Sequence, residues 1–139
     1  MRFGWARAFS AISICDSTTY ASLTSLIAMA DNHPLELSVE DAKRLLDTQP
    51  GQVVLIDVRE PHEVEICRIA GAQPIPMRQI PENVGTLPKD KHLLIHCHHG
   101  GRSLRVTQYL RANGFDAVTN VAGGIDAWSL TIDPAVPRY

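Results

Sequence analysis

Three short apolar runs constrain this chain more than any other feature. Val53-Val54-Leu55-Ile56, Leu93-Leu94-Ile95-His96-Cys97 and Ala117-Val118-Thr119-Asn120-Val121 are nearly continuous and rich in branched residues. A strand with one wet face alternates apolar and polar residues, whereas a continuous run belongs to a strand covered on both faces. Helical signals fill the text between the runs. Ser38 can cap a helix, with Asp41 three residues on as a weak capping box, and Ala42, Leu45 and Leu46 form an apolar stripe that Pro50-Gly51 ends. Pro61 opens a short helix through about Glu65, and Pro81–Leu87 reads as a helical turn. Ile69–Ala72 and Pro74–Pro76 read as a loop with a short extended piece. Leu104, Val106, Tyr109 and Leu110 carry a helical pattern through Ala112, which Asn113-Gly114 closes. Gly123-Gly124 turns into a short helix over Ile125–Leu130. Strands separated by helices predict an α/β fold with a parallel sheet. Sites in such sheets lie beyond the carboxyl ends of the strands, here after Ile56, Ile95 and Val121.

Composition narrows the function classes. The chain has 139 residues, 45% hydrophobic and 20% charged, ordinary values for one soluble domain. A formal charge of −2 leaves no electrostatic footprint for nucleic acid. No apolar run approaches the ~18–20 residues that cross a bilayer, so no membrane partner is expected. Cys15, Cys67 and Cys97 are odd in number and widely spaced, which argues against a disulfide framework and for a reducing, cytoplasmic setting. Residues 1–30 differ in kind. They hold Arg2, Arg7 and a single acid, Asp16, with five Ser and three Thr, and their apolar stretches are too broken for a secretory signal. They read as an extension, disordered, cleavable or untranslated with a start at Met29; the domain proper is expected over 37–139.

Chemistry concentrates in His96-Cys97-His98-His99-Gly100-Gly101-Arg102-Ser103. A cysteine ends a buried strand, a glycine turn follows, and a helix begins. That order sets a sulfur above converging backbone N–H groups at the positive end of a helix dipole. Arg102 adds a full charge in a planar fork suited to oxyanions. Such surroundings lower a thiol from about 8.5 toward neutrality, and the thiolate is the nucleophile. Gly100 and Gly101 let amides turn toward one point. His98 and His99 line the mouth of the loop. Adjacent side chains at a strand end point in different directions, so His96, His98 and His99 are not expected to share a metal. Cys67 is expected to be a packed or half-exposed thiol.

At this loop the sequence resembles the rhodanese-like domain family of single-domain sulfurtransferases, over about residues 37–139. Val54-Leu55-Ile56-Asp57-Val58-Arg59-Glu60 is similar to the family's Asp-Val-Arg strand end. Ile69-Ala70-Gly71-Ala72 with Ile75-Pro76 is similar to its next loop. Cys97-His98-His99-Gly100-Gly101-Arg102-Ser103 fits its Cys-x-x-Gly-x-Arg loop, and Val121-Ala122-Gly123-Gly124-Ile125-Asp126-Ala127-Trp128 fits its Gly-Gly-x-x-x-Trp segment. The ending Asp133-Pro134 with Val136-Pro137-Arg138-Tyr139 further resembles rhodanese domains fused behind enzymes that activate sulfur-carrier proteins. One departure is Cys67-Arg68, where many members carry Gly-His; Arg68 is expected to pair with Asp57 or Glu65.

The resemblance implies a parallel sheet of about five strands flanked by helices on both faces. It implies a Cys97 nucleophile that takes sulfane sulfur from a small anionic donor such as thiosulfate and becomes a persulfide. The sulfur passes to a thiophilic acceptor, a thiol or a sulfur-carrier or persulfide-donor protein being a further partner, with no metal or organic cofactor. His98, His99, Gly100, Gly101, Arg102 and Ser103 would bind the donor. Asp57 and Arg59 would brace the loop, and Trp128 would be core or pocket wall. Two other classes remain as alternatives. Cysteine phosphatases and arsenate reductases use a similar loop with five residues between Cys and Arg, against four here. A non-catalytic rhodanese-like binding module usually lacks the cysteine.

Overall fold

The computed structural model describes residues 33–139. The expectations for residues 1–30, with Cys15 and the start at Met29, lie outside the described residues. Five strands form one sheet: β1 (Glu36–Leu37), β2 (Val53–Asp57), β3 (Gln73–Pro74), β4 (His92–His96) and β5 (Val118–Val121). They run in the order β1-β5-β4-β2-β3, every neighbouring pair parallel. The apolar runs are the three inner strands. Register is direct: Leu55 faces Leu94, and Ile56 faces Ile95. β4 is therefore central, and the turn that leaves it is walled on both sides by the turns leaving β2 and β5.

Helices α1 (Val39–Thr48), α2 (Pro61–Ile66), α3 (Ile80–Asn83), α4 (Gly101–Ala112) and α5 (Gly124–Thr131) connect the strands. Alternation along β4 sends Leu93 and Ile95 to one face with Ile80 of α3 and Val106 and Leu110 of α4. Leu94 goes to the other face, with Val39 and Ala42 of α1 and Ile125 and Trp128 of α5. Both faces are thus covered, as continuous apolar strands require. Each fully buried Leu or Ile contributes about 2 kcal/mol of transfer free energy. Ser38 caps α1, its hydroxyl accepting the Asp41 N–H at 3.1 Å. Gly114, at φ +89, closes α4 in the left-handed conformation.

The structure adjusts several expectations. β1 has no apolar run behind it. It is an edge pair of residues held by backbone, with the Asn120 and Ala122 N–H groups donating to Leu35 and Leu37. The extended piece near Pro74 is β3. The turn expected over Pro81–Leu87 is shorter and earlier, because a 3-10 turn at Met77–Gln79 leads into α3. Strand β4 ends at His96, so Cys97 is the first residue of the turn.

Candidate active site

Cys97 sits where β4 gives way to the N-terminus of α4, its sulfur almost wholly buried. Gly100 makes the turn at φ +106. Its amide donates to Cys97 Sγ at 3.1 Å, and the Ser103 hydroxyl donates at 3.3 Å. Burial pushes the Cys97 thiol up. The Ser103 hydroxyl, followed by the amides of Ser103, Gly100 and Arg102, outweighs burial and holds the thiol below its ordinary value. The sulfur is thus held by neutral donors that favour an anion without donating a proton to it outright.

The opposite wall is α5. Ile125 N–H donates to the Cys97 carbonyl at 2.9 Å, and Asp126 N–H donates to the His98 carbonyl at 3.1 Å. Those contacts need a glycine at the helix start. A Cβ on Gly124, at φ +58, would stand 2.3 Å from the Cys97 oxygen and 2.5 Å from the His98 oxygen. The Gly-Gly pair therefore lets a helix end press against the loop carbonyls while the loop amides face the sulfur.

Each expected site residue falls in or beside this loop, in differing roles. His98 stacks on Tyr139 with ring centroids 4.1 Å apart and on His99 at 4.0 Å. Burial lowers its pKa, with His99 adding to the effect. His99 is largely exposed, with Nδ1 3.9 Å from Asp126. Gly101 opens α4. Ser103 is buried and also donates to the Gly100 carbonyl. Arg102 bears on the site by its amide, but its guanidinium forms a two-pronged pair with Glu63, both contacts at 2.7 Å. Among the described residues, no group of His, Cys, Asp and Glu is placed to hold a metal.

Asp57 and Arg59 form a fully buried pair, with Arg59 Nη2 2.7 Å from Asp57 Oδ2. The guanidinium also donates to the carbonyls of Cys67 and Glu63 and to the Tyr139 hydroxyl at 2.9 Å. The pair thus fastens α2 and its exit, and through them Glu63, while Asp57 Oδ2 lies 3.7 Å from His96 Nε2 where β4 enters the cysteine loop. The expectation that Arg68 pairs with Asp57 is overturned, since Arg59 saturates that carboxylate. No Arg68 ion pair forms among the described residues. Cys67 is packed among Leu94, Ile69 and Trp128, which is core.

Sequence reasoning missed Glu63 and Tyr139. Glu63 accepts from Arg102, from the Glu60 amide at 2.9 Å and from the Tyr139 hydroxyl at 3.1 Å. It holds the third position of α2, where a glutamate after Glu60-Pro61 signals a reciprocal helix start. That signal was available. Tyr139 has no comparable local signal.

Comparison with known proteins agrees with this architecture. Residues 38–131 match the family model for the rhodanese-like domain. The "Rhodanese-like/PpiC domain-containing protein 12, chloroplastic" of Arabidopsis thaliana is 43% identical over 89 residues, which are 61% of this chain and 30% of that protein. A "Sulfurtransferase" of Allochromatium vinosum is 39% identical over 88 residues, 63% of this chain and 80% of that one. The "Adenylyltransferase and sulfurtransferase MOCS3" of Arabidopsis thaliana is 29% identical over 119 residues, covering 74% of this chain and 25% of that protein. The crystal structure of a rhodanese-like domain protein from Staphylococcus aureus superposes with a TM-score of 0.64 at 33% identity, over 76% of this chain and 99% of that one. With the cysteine turn on the central strand and the matched segment running from the Ser38 cap to the end of α5, this chain belongs to the rhodanese-like domain family.

Proposed function

We propose that the chain is a sulfurtransferase in which Cys97 carries sulfane sulfur as a persulfide. The observation that carries this is the sulfur's setting: a buried thiol held low by the Gly100 amide and the Ser103 hydroxyl. Ionised Cys97 attacks the outer sulfur of a donor. The S–S bond of the donor breaks, and its inner group leaves with the electron pair, as sulfite from thiosulfate. The terminal sulfur of the new Cys97 persulfide then lies toward the amides of Gly100, Arg102 and Ser103, which offset its negative charge. A thiol or carrier-protein acceptor takes that sulfur and restores the thiolate. His98, His99, Gly101 and Arg102 border the path by which donor and acceptor enter, and Asp57 with Arg59 braces the α2 side of it. No metal or organic cofactor enters the scheme. A cytoplasmic setting and a sulfur-carrier or persulfide-donor partner complete it. No helix among the described residues is long and apolar enough to cross a membrane.

Intact mass tests the reading. Reduced protein is treated with thiosulfate and, separately, with cysteine persulfide. A gain of about 32 Da, one sulfur atom, in wild type but not in Cys97→Ser is the expected result. No gain with either donor, or a gain that survives Cys97→Ser, overturns it.

A further inference from the structure

Three arginines around the cysteine turn each carry a carboxylate. Arg102 is clamped two-pronged by Glu63, Arg138 is paired with Asp126 at 2.8 Å, and Arg59 is paired with Asp57. The two histidines of the mouth do not supply the missing charge. Burial keeps His98 toward its neutral form, and His99 is turned largely to solvent. Once Cys97 ionises, these three pairs therefore bring it no net positive charge. Glu63 is the decisive member, because it cancels the one arginine of the cysteine loop itself. Its carboxylate is full: Oε1 accepts from Arg102 and Tyr139, and Oε2 accepts from Arg102 and Glu60. Four donors and near-complete burial fix that charge in place, so an incoming anion cannot draw Arg102 away without stranding a buried carboxylate.

We propose that Glu63 is a specificity-determining residue that sets this site against dianionic sulfur donors and in favour of donors of lower charge, of which persulfides are the chemical class. The inference rests on the sulfurtransferase reading and narrows its donor. For a persulfide, the Cys97 thiolate attacks the outer sulfur of RS–SH, the S–S bond breaks, RS⁻ leaves, and Cys97 becomes the persulfide with the proton retained on the terminal sulfur. One negative charge enters the step and one leaves it. Thiosulfate brings two more charges past Glu63 for the same sulfur atom.

Charge is separable from shape with methanethiosulfonate, CH₃SO₂S⁻, which presents the same outer sulfur on a monoanion and leaves as methanesulfinate. Loading of Cys97 is followed by mass with thiosulfate and with methanethiosulfonate, in wild type and in Glu63→Gln. At roughly 6 Å, removing one carboxylate charge speeds approach of a monoanion by about threefold and of a dianion by about tenfold even through water-like screening. The ratio of the two rates, methanethiosulfonate over thiosulfate, is therefore expected to fall about threefold in Glu63→Gln. A purely structural role would slow both donors alike and leave the ratio unchanged, which would overturn the proposal. Should Glu63→Gln fail to fold, wild type decides by salt: the thiosulfate rate is expected to rise with ionic strength more than the methanethiosulfonate rate. A thiosulfate rate that is flat or falls would refute Glu63 as the determinant. Failure of the parent reading looks different, since neither donor then loads Cys97 at all.

Discussion

Gly124→Ala is the sharpest probe of how the cysteine turn is held. The residue sits at φ +58, where an L side chain costs about 1–2 kcal/mol. Its new Cβ would meet the Cys97 oxygen at 2.3 Å, the His98 oxygen at 2.5 Å and the His98 carbonyl carbon at 2.7 Å. All three are backbone atoms, so no side chain can swing aside. The N-terminus of α5 has to retreat instead. That retreat lengthens the Ile125 and Asp126 amide contacts to the turn, now 2.9 Å and 3.1 Å, and two net hydrogen bonds are worth about 2 kcal/mol. Together the loss is about 3–4 kcal/mol, out of roughly 5–15 kcal/mol for a whole domain. In a urea titration the midpoint should fall by about 2–3 M. Gly101→Ala is the control, because no atom lies within 4 Å of its Cβ and alanine is the better helix former, so stability should hold or rise by up to about 1 kcal/mol. A loss below about 1 kcal/mol for Gly124→Ala would refute the reasoning, since α5 would then not be pressed on the turn.

Arg59→Met leaves the Asp57 carboxylate buried without its partner and should cost about 3–5 kcal/mol in chemical denaturation; a change under about 1 kcal/mol would mean the pair does not brace α2. Ser103→Ala removes a donor at 3.3 Å from the sulfur, so the Cys97 thiol should titrate higher and its alkylation by iodoacetamide at neutral pH should slow by about three- to tenfold. An unaltered rate–pH curve would remove Ser103 from the account. Acid stability should fall in two stages. Burial, with His33 and Arg111 beside it, holds His92 at about 4 against an ordinary 6.5. The unfolded chain therefore takes up that proton first, and stability drops as pH falls from 6.5 toward 4. Arg102 holds Glu63 at about 2 against an ordinary 4.5, so its contribution is complete above 4.5 and is lost as pH falls from there to 2. Unfolding free energy measured against pH should show a smaller upper stage in His92→Gln, His98 and the buried His96 supplying the remainder, and a smaller lower stage in Glu63→Gln; the opposite assignment would contradict both.

The inner sheet was legible because its strands are nearly continuous apolar runs, and a residue buried on two faces leaves no polar alternation to obscure them. The turns were legible for a different reason. Gly100 and Gly124 occupy left-handed conformations, and glycine is the residue that enters them freely. β1 and β3 were harder, since each is two residues long and owes its strand geometry to a neighbour's backbone rather than to its own side chains. Leu37 is only half-buried, and Gln73 and Pro74 are exposed.

The site was half legible on the same grounds. Cys97, Gly100, Arg102 and Ser103 lie within one turn of chain, so local order displays them. What decides their charge lies at long range. Arg102 pairs with a residue 39 positions away, and Tyr139 meets Arg59 across 80 positions. A sequence shows an arginine in an active-site loop and suggests an anion-binding fork. The fold shows that fork already filled by a carboxylate, which is itself filled by a tyrosine hydroxyl and a helix amide. The same arginine thus changes meaning, from a hand for the donor to one half of a neutral wall. The pull on the Cys97 sulfur is left to the Ser103 hydroxyl and backbone amides, neutral donors that favour its anion without adding a free positive charge to the loop.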